Sequence, residues 1–269
     1  MKSLSSLLIT SALIAASTTA SAALVAGDIA LVGFQASGLT AFGDSFSFAS
    51  LVNVDAGTVL YFSDNGFTTG AGFRGVSATD NDGNEGLIKY TVGANGLAAG
   101  QVVSSLSTNT ANGVWTLSGL IYGTTAGSGS YAPLSFSASG EQFTVFQSSN
   151  AQPMLSGYTA LYNFDNTGAY EAAGTSSSQG QLAPGLVQGT SAILLNATTG
   201  ANFANFNFGA FSGAADRATW LARIGTVANW TTSSATTNVA DSSFSVGAVP
   251  SPGAVALLGL AGLVARRRR

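Results

Sequence analysis

Residues 45–66 read SFSFASLVNVDAGTVLYFSDNG, in which Phe46 and Phe48 alternate with small residues before the interruption Asn-Val-Asp-Ala-Gly and a run rich in Val, Leu, Tyr and Phe follows it. A period of two residues places the apolar side chains on one face of a β-strand. Asn, Asp and Gly favour turns, so the interruption predicts a turn between two strands. At the end of the stretch, Asn65-Gly66 predicts a tight hairpin turn, because such turns need positive φ values.

Further runs of the same kind recur along the chain, separated by clusters of Gly, Asn and Asp. They are DIALVGF (28–34), GLIKYTV (86–92), QVVSSL (101–106), QFTVFQ (142–147), YTALYNF (158–164), SAILL (191–195) and NFNFG (205–209). Many short strands with regular turn signals are typical of an antiparallel sandwich or barrel. We therefore predict an all-β fold, an antiparallel β-sandwich.

One segment carries the signals of a helix instead. In SGAADRATWLARIG, residues 212–225, Ser212 can cap the start and Gly225 can end the helix. Three apolar residues share one face, which we expect to pack on a sheet: Trp220, Leu221 and Ile224. The sequence therefore predicts one short helix near residues 213–225.

Three short blocks recur in the same order and raise the question of an internal duplication. The pairs are GDSFS (43–47) with GEQFT (140–144), LYFSDNG (60–66) with LYNFDNTG (161–168), and LAAGQVV (97–103) with LAPGLVQ (182–188). Two interpretations stay open. Halves at residues 27–121 and 132–246 each supply part of one two-sheet core, or the matches arise by chance in a biased composition. On either interpretation, residues 23–248 form one β-sandwich body.

Composition excludes several classes of function. The chain has no Cys and no His, which rules out disulfides, Cys nucleophiles, Ser-His-Asp triads and zinc sites of the usual kind. Between residues 23 and 249, four basic residues stand against twelve acidic ones, a net charge of −8. Nucleic-acid binding depends on neutralising phosphates with basic side chains, so we expect no nucleic acid as a partner.

The N-terminus has the order of a secretory signal peptide. A basic residue precedes an apolar run at residues 7–16, and Ala20 and Ala22 form an A-x-A end. A charged start, an apolar middle and small residues at the cleavage site are the three parts of such a peptide. We expect residues 1–22 to be removed by cleavage between Ala22 and Ala23.

The C-terminus combines an apolar run of thirteen residues, 253–265, with four terminal arginines. A helix of that length covers roughly 20 Å, which is short of the ~30 Å hydrocarbon core. Arginines are costly to move across a membrane and are expected to stay on the cytoplasmic side. We predict a marginal, temporary anchor in the inner membrane that is then cut, much as GPI signal tails are removed.

Residues 249–269 resemble a PEP-CTERM sorting signal of Gram-negative bacteria. A Pro-containing motif, an apolar helix and a terminal basic cluster carry the resemblance, and the motif and cluster residues are Val249, Pro250, Ser251, Pro252, Arg266, Arg267, Arg268 and Arg269. The resemblance implies processing by an exosortase, a membrane-embedded transpeptidase-like enzyme, and a role at the cell surface or with exopolysaccharide. Ser251 stands where the family motif has Glu. A tail anchor that is never cut stays open as the alternative.

The body resembles a group of secreted bacterial β proteins that begin with AGD-I-A-hydrophobic-GF and continue with G-T-hydrophobic-Y-F-x-D-N-G-[FW]. The matching segments here are residues 26–34 and 57–67, and Asn229-Trp230-Thr231 follows the predicted helix as in that group. The resemblance implies a fold related to Ig-like lamin-tail domains and brings little functional information.

The sharpest acidic cluster is TDNDGNEG, residues 79–86. Its oxygen ligands resemble the first half of a calcium-binding loop, and the predicted calcium ligands are Asp80, Asp82, Asn84 and Glu85. Glu85 lies where an EF-hand needs Gly, and Thr91 lies where it has a bidentate Glu. A non-EF calcium loop and a solvated turn rich in Asp and Asn are the two interpretations.

Other residues are of the types that cleave or bind glycans. Two pairs of carboxylates fall at matching places in the proposed repeat: Asp64 with Asp165, and Asp44 with Glu141. Glycosidases need two carboxylates about 5–10 Å apart, although Asp-Asn-Gly is first of all a turn. Several aromatic residues could stack on sugars, and core packing also explains each of them: Trp115, Tyr61, Tyr162, Tyr170 and Trp230.

We therefore predict a non-enzymatic, exported protein of the cell envelope or extracellular matrix, sorted by an exosortase-type enzyme and associated with polysaccharide. No catalytic residue is predicted, and calcium is the one cofactor for which the sequence offers candidate ligands. The alternatives are a glycan-active enzyme with paired carboxylates and a calcium-stabilised adhesive module.

Overall fold

The computed structural model describes residues 23–40, 43–69, 72–74, 86–117, 133–137, 140–171, 180–195, 202–234 and 243–247. Within these ranges the fold is mostly β, with one α-helix, α1 (Arg217–Ile224). The strands are β1 (Ile29–Thr40), β2 (Gly43–Ser50), β3 (Val59–Ser63), β4 (Phe67–Thr68), β5 (Gly72–Phe73), β6 (Leu87–Val92), β7 (Val102–Ser104), β8 (Gly113–Leu117), β9 (Gln142–Ser148), β10 (Tyr158–Asp165), β11 (Ala192–Leu194), β12 (Phe203–Phe206) and β13 (Trp230–Ser233). The predicted all-β class is confirmed.

Most strands belong to two sheets. One sheet has five strands in the order β13-β12-β1-β2-β7, and the other has six in the order β11-β10-β9-β3-β6-β8. β4 and β5 form a separate hairpin. All these strand pairs are antiparallel except β10 with β11.

The parallel pair of β10 and β11 departs from the antiparallel prediction. Antiparallel neighbours can be joined by a short turn, whereas parallel neighbours need a crossover of about a dozen residues or more. β10 ends at Asp165 and β11 begins at Ala192, so the chain between them is long enough for such a crossover. Ala183 and Leu186 of this connection are buried and so hold it against the protein.

The two sheets face each other across an aromatic core. Phe34 of β1 stacks on Phe164 of β10 with ring centroids 5.0 Å apart, and Phe46 of β2 lies 4.9 Å from Phe62 of β3. All four rings are buried. In β2 the phenylalanines alternate with small residues, so the large rings lie on the face that meets the other sheet.

A second apolar cluster covers the other face of the six-stranded sheet. Val145 belongs to the core between the sheets, so the next residue, Phe146, points away from it. Phe146 packs against Phe73 of the β4–β5 hairpin, with ring centroids 4.7 Å apart. The hairpin therefore lies on this sheet as an additional layer.

The predicted hairpin turn at Asn65-Gly66 is wrong. β3 pairs with β6 and β9 rather than with β4, and Gly66 does not have a positive φ. Asn65 is buried, and its backbone N–H and its Nδ2 group donate to Ser63 Oγ at 3.1 and 3.0 Å. These local bonds stabilise the chain as it leaves the sheet after β3.

Both halves of the proposed repeat contribute to both sheets. Residues 27–121 supply β1, β2 and β7 to one sheet and β3, β6 and β8 to the other, and the second half supplies the remaining strands of each. The matched blocks do not lie in like arrangements, because β9 pairs with β10 whereas β2 and β3 lie in different sheets. The duplication stays a hypothesis about the sequence.

α1 begins later than the sequence predicts. Asp216 rather than Ser212 is the N-cap, and its Oδ1 accepts a hydrogen bond from the Thr219 N–H at 2.7 Å. Ala215 forms a parallel bridge with Val246, which keeps the preceding backbone extended. The predicted apolar face is confirmed as buried: Trp220, Leu221 and Ile224.

α1 also holds the first and last segments of the described body. The Arg217 guanidinium lies 2.9 Å from Asp28 Oδ1, and its Nη2 donates to the Ala26 C=O at 2.6 Å. Three residues further along α1, Trp220 Nε1 donates to the Ser245 C=O at 3.0 Å. Both segments therefore lie beside the same helix.

The predicted targeting helices, within residues 1–22 and 249–269, lie outside the described residues. In the part of the chain that the structure describes, no helix is long and apolar enough to cross a membrane.

Phe46→Ala is expected to lower the free energy of unfolding by about 3–5 kcal/mol, because it empties a site surrounded by rings in the core. Urea unfolding followed by tryptophan fluorescence measures the change. Val187→Ala is the control, because Val187 is 59% exposed. A loss for Phe46→Ala no larger than that of the control would contradict the aromatic core.

Candidate functional site

Three buried carboxylates hold one short stretch of chain, residues 133–137, which we call the clamped segment. Consecutive backbone N–H groups of this segment each donate to a different carboxylate. The pairs are Ser135 with Asp64 at 2.7 Å, Phe136 with Asp44 at 2.6 Å, and Ser137 with Glu141 at 2.8 Å. Hydrogen bonds to charged acceptors are stronger than neutral ones, so this arrangement fixes the segment firmly.

Asp64 illustrates how these carboxylates are used. Its side chain is fully buried, and its second oxygen, Oδ1, accepts from the Gly86 N–H at 2.5 Å. A Cβ at Gly86 would lie 2.6 Å from the backbone nitrogen of Leu134, so the close approach of β6 to the clamped segment needs glycine. Both Asp64 oxygens therefore bind backbone, and the side chain joins β3, β6 and the clamped segment.

Asp165, the carboxylate that matches Asp64 in the proposed repeat, binds a different part of the chain. It is fully buried, and its Oδ1 accepts from the Thr167 N–H at 2.7 Å and from the Thr167 hydroxyl at 2.5 Å. Its Oδ2 has no hydrogen-bond partner within the described ranges. Burial raises the pKa of Asp165 from 3.8 to about 6, and the charge of Glu171 adds to the rise. Neither Asp64 nor Asp165 exposes surface to a substrate.

Most of the aromatic residues considered for sugar stacking lie in the core. Trp115, Tyr162 and Trp230 are all buried. Tyr61 and Tyr170 are half-buried, and the Tyr61 ring already stacks against the second apolar cluster. The core explanation therefore holds for the three buried rings.

An open cleft of about 520 Å³ lies along the outer edge of β7, and we call it the edge cleft. Its walls are formed by residues 98–104, by the loop that carries Ser107, Asn109 and Asn112, and by Phe244 of the last described segment. None of the described residues that line it is charged. The edge cleft therefore offers hydroxyl groups, amides and one aromatic ring.

β7 directs backbone groups toward its unpaired edge. Ser50 N–H donates to the Gln101 C=O at 2.9 Å, so Gln101 and Val103 bond to β2. In an antiparallel ladder the intervening residues, Val102 and Ser104, point their N–H and C=O groups the other way. No described strand pairs with that edge.

Local turns orient three polar side chains of the edge cleft. Asn109 Oδ1 accepts from the Ala111 N–H at 3.1 Å, and Gln101 Oε1 accepts from the Ala98 N–H at 3.1 Å. Ser107 Oγ accepts from the N–H of residue 109 at 3.3 Å. Each bond uses an oxygen and leaves the amide NH₂ or the hydroxyl hydrogen to donate. The edge cleft therefore presents uncharged donors whose orientation the loop sets.

The sequence did not indicate the edge cleft. Phe244 lies far along the chain from the loop that faces it, and its N–H donates to the Gly100 C=O at 2.9 Å. Its ring stacks on Phe208 at 5.0 Å and lies 4.2 Å from Trp220. The alternation in SFSV, residues 243–246, is the one sequence signal that this segment packs against the body.

Ala23, the first residue after the predicted signal cleavage, lies at a second cleft of about 410 Å³. Ala23 is exposed, whereas Leu24 is buried and its N–H donates to Gln147 Oε1 at 3.2 Å. Within the described residues, which begin at Ala23, Leu24 is therefore the first buried side chain.

The other predicted site residues lie outside the described ranges. They are the calcium ligands Asp80, Asp82, Asn84 and Glu85, the cleavage residues Ala20 and Ala22, and the sorting residues Val249, Pro250, Ser251, Pro252, Arg266, Arg267, Arg268 and Arg269. Among the residues that are described, no group of three or more acidic side chains could hold a metal ion.

The chain matches no family model, no curated protein and no solved structure. Its function must therefore be inferred from its own residues and geometry.

Asp64→Asn is expected to lower the free energy of unfolding by about 3 kcal/mol, because an NH₂ group would have to face a backbone N–H in place of a carboxylate oxygen. Urea unfolding at neutral pH measures the loss. Asp55→Asn makes the same chemical change at an exposed position and should be close to neutral. Equal stability of the two variants would contradict the structural role of Asp64.

Asp165 is expected to make the protein less stable as pH rises from about 4 to above 6. The native carboxyl, with its pKa raised to about 6, binds its proton more tightly than the unfolded one, so stability is lost as this proton leaves. Asp165→Asn cannot ionise and keeps an oxygen for Thr167. Its free energy of unfolding relative to that of wild type should therefore rise by roughly 2–3 kcal/mol across that range. Thermal unfolding at a series of pH values tests this, with Asp55→Asn as control. A difference from wild type that does not change with pH would contradict the raised pKa.

Proposed function

We propose that this chain is an exported, non-enzymatic protein of the bacterial cell envelope or extracellular matrix, sorted through its C-terminal segment and associated with polysaccharide. An exosortase-type enzyme would process residues 249–269 after the body has crossed the inner membrane. The body would then remain at the cell surface or in the matrix.

The ends of the chain support export and processing. The signal-peptide order of residues 1–22 precedes Leu24, the first buried residue of the described ranges. At the other end, the Gly247 N–H donates to the Ala215 C=O at 2.8 Å, just before the sorting segment begins. Cleavage at or after residue 249 therefore leaves every described contact of the body in place.

The carboxylates support a role without catalysis. A glycosidase needs two carboxyl groups that reach the scissile bond. Asp64 uses both oxygens on backbone N–H groups, and Asp165 is fully buried beside Thr167. These contacts fit side chains that hold the fold together.

The edge cleft is the observation that carries the association with polysaccharide. It is open, and its described lining is uncharged and rich in amide and hydroxyl groups, which can donate to and accept from sugar hydroxyls. Its volume of about 520 Å³ lies in the range of about 300–1,000 Å³ that is usual for small-molecule sites.

We also propose that the body is an Ig-like sandwich of the lamin-tail kind. The two facing sheets and their shared aromatic core support this assignment.

The protein exported by the producing cells is expected to have an intact mass that begins at Ala23 and ends near residues 249–252. The same preparation should be retained on the exopolysaccharide of those cells, and the polymer should keep its length on prolonged incubation. A mass that still includes Arg269 would contradict processing. Shortening of the polymer would contradict the non-enzymatic role.

A further inference from the structure

We propose that the edge cleft is a binding site for a segment of neutral polysaccharide, held by the amides of Gln101, Asn109 and Asn112 and by the backbone of Val102. This inference depends on the proposed association with polysaccharide and adds the site and the class of sugar.

The charges of the protein favour a neutral sugar. Among the described residues that line the edge cleft none is charged, and the four basic residues of the body are not part of that lining: Arg74, Lys89, Arg217 and Arg223. Arg217 is paired with Asp28, and the Arg223 guanidinium lies over the rings of Phe211 and Trp220 at 4.7 and 4.6 Å. A uronate, sulfate or phosphate group in the cleft would therefore find no cation. The net charge of −8 would also repel a polyanion at long range.

The hydrogen-bonding groups match sugar hydroxyls. The turn bonds of Asn109 and Gln101 leave their NH₂ groups as donors, and Ser107 keeps its hydroxyl hydrogen. Val102 adds one backbone donor and one acceptor from the edge of β7. A sugar hydroxyl both donates and accepts, so it can satisfy either kind of group without carrying a charge.

The same edge is poorly suited to an added peptide strand. Strand addition needs a row of unpaired backbone groups along an edge. Beside Val102, the Gly100 C=O already accepts from the Phe244 N–H at 2.9 Å, and the Ser104 C=O already accepts from the Ser107 N–H at 2.9 Å. Among the described residues of this edge, Val102 is the one whose outward N–H and C=O both have no backbone partner. One such residue can bind a sugar hydroxyl but cannot pair with an added strand.

The test is affinity electrophoresis of the exported protein through gels that contain one of two polymers. One polymer is the native exopolysaccharide of the producing cells. The other is the same polymer after its uronate carboxyls have been chemically reduced to hydroxymethyl groups, which makes each acidic sugar neutral. Because no ion pair is involved, retardation should change less than about twofold between low and high salt.

Two variants remove donors and keep the local turns. Asn109→Asp and Gln101→Glu retain the oxygen that accepts from the Ala111 or Ala98 N–H, and they replace the NH₂ group with a carboxylate oxygen. Asn150→Asp is the matched control, because Asn150 Oδ1 also accepts from an N–H two residues on, at 2.9 Å, and lies away from the edge cleft. Unchanged melting temperatures confirm that the variants are folded.

The reduced polymer is expected to retard the wild-type protein at least as strongly as the native one. Each edge-cleft variant should lose about tenfold in affinity, whereas Asn150→Asp should not change. Retardation that both edge-cleft variants retain would overturn the site, and retardation lost on carboxyl reduction would overturn the sugar class. Either result would leave the association with polysaccharide standing. No retardation by either polymer would overturn the association as well.

Discussion

The body depends on three hydrogen bonds, in which three consecutive backbone N–H groups of the clamped segment each donate to a different buried carboxylate. A buried N–H without a partner costs about 1–3 kcal/mol, and a buried carboxylate without one costs more, so each group needs the other. Asp44 lies in β2 of the five-stranded sheet, Asp64 directly follows β3, and Glu141 directly precedes β9 of the six-stranded sheet. The clamped segment therefore links both sheets in a chain that has no cysteine and few charges to stabilise it. The aromatic core gives the sheets their contact, and the carboxylates fix the segment laid across it.

Periodicity predicted the strands that bury one whole face. In β2, Phe46 and Phe48 alternate with serines, and both rings lie in the core between the sheets. β9 is apolar on both faces, with Val145 in that core and Phe146 in the second apolar cluster, so its apolar residues do not alternate strictly. β4 and β5 are two residues long, and a period cannot be seen over that length. Nothing in SAILL indicates which strand lies beside it, so the parallel pairing of β11 could not be foreseen. At Asn65-Gly66 the chain does leave the strand, but no hairpin follows. Hydrogen bonds of Ser63 and of the Asp64 carboxylate, the latter to a distant segment, set the path of the chain after β3.

The candidate site was harder to predict than the fold. Asp64 and Asp165 were the obvious chemical groups, but a sequence does not reveal whether a carboxylate faces a ligand or a backbone N–H. The edge cleft is built from common residues in two distant segments, 98–112 and 243–244, which only the folded chain brings together. Its uncharged lining follows the composition of the whole chain, in which charged residues are only 8%. The scarcity of basic side chains, from which we expect no nucleic-acid partner, also favours a neutral polysaccharide over an acidic one in our proposal.

The central claim is that the exported body binds polysaccharide at the edge of β7. Hydrogen–deuterium exchange of the exported protein, with and without the exopolysaccharide of the producing cells, tests it most directly. The account predicts slower exchange in peptides that cover residues 98–112 and 243–247, and no change around Ala23 and the second cleft. Slower exchange confined to another surface, or no change anywhere at saturating polymer, would contradict it.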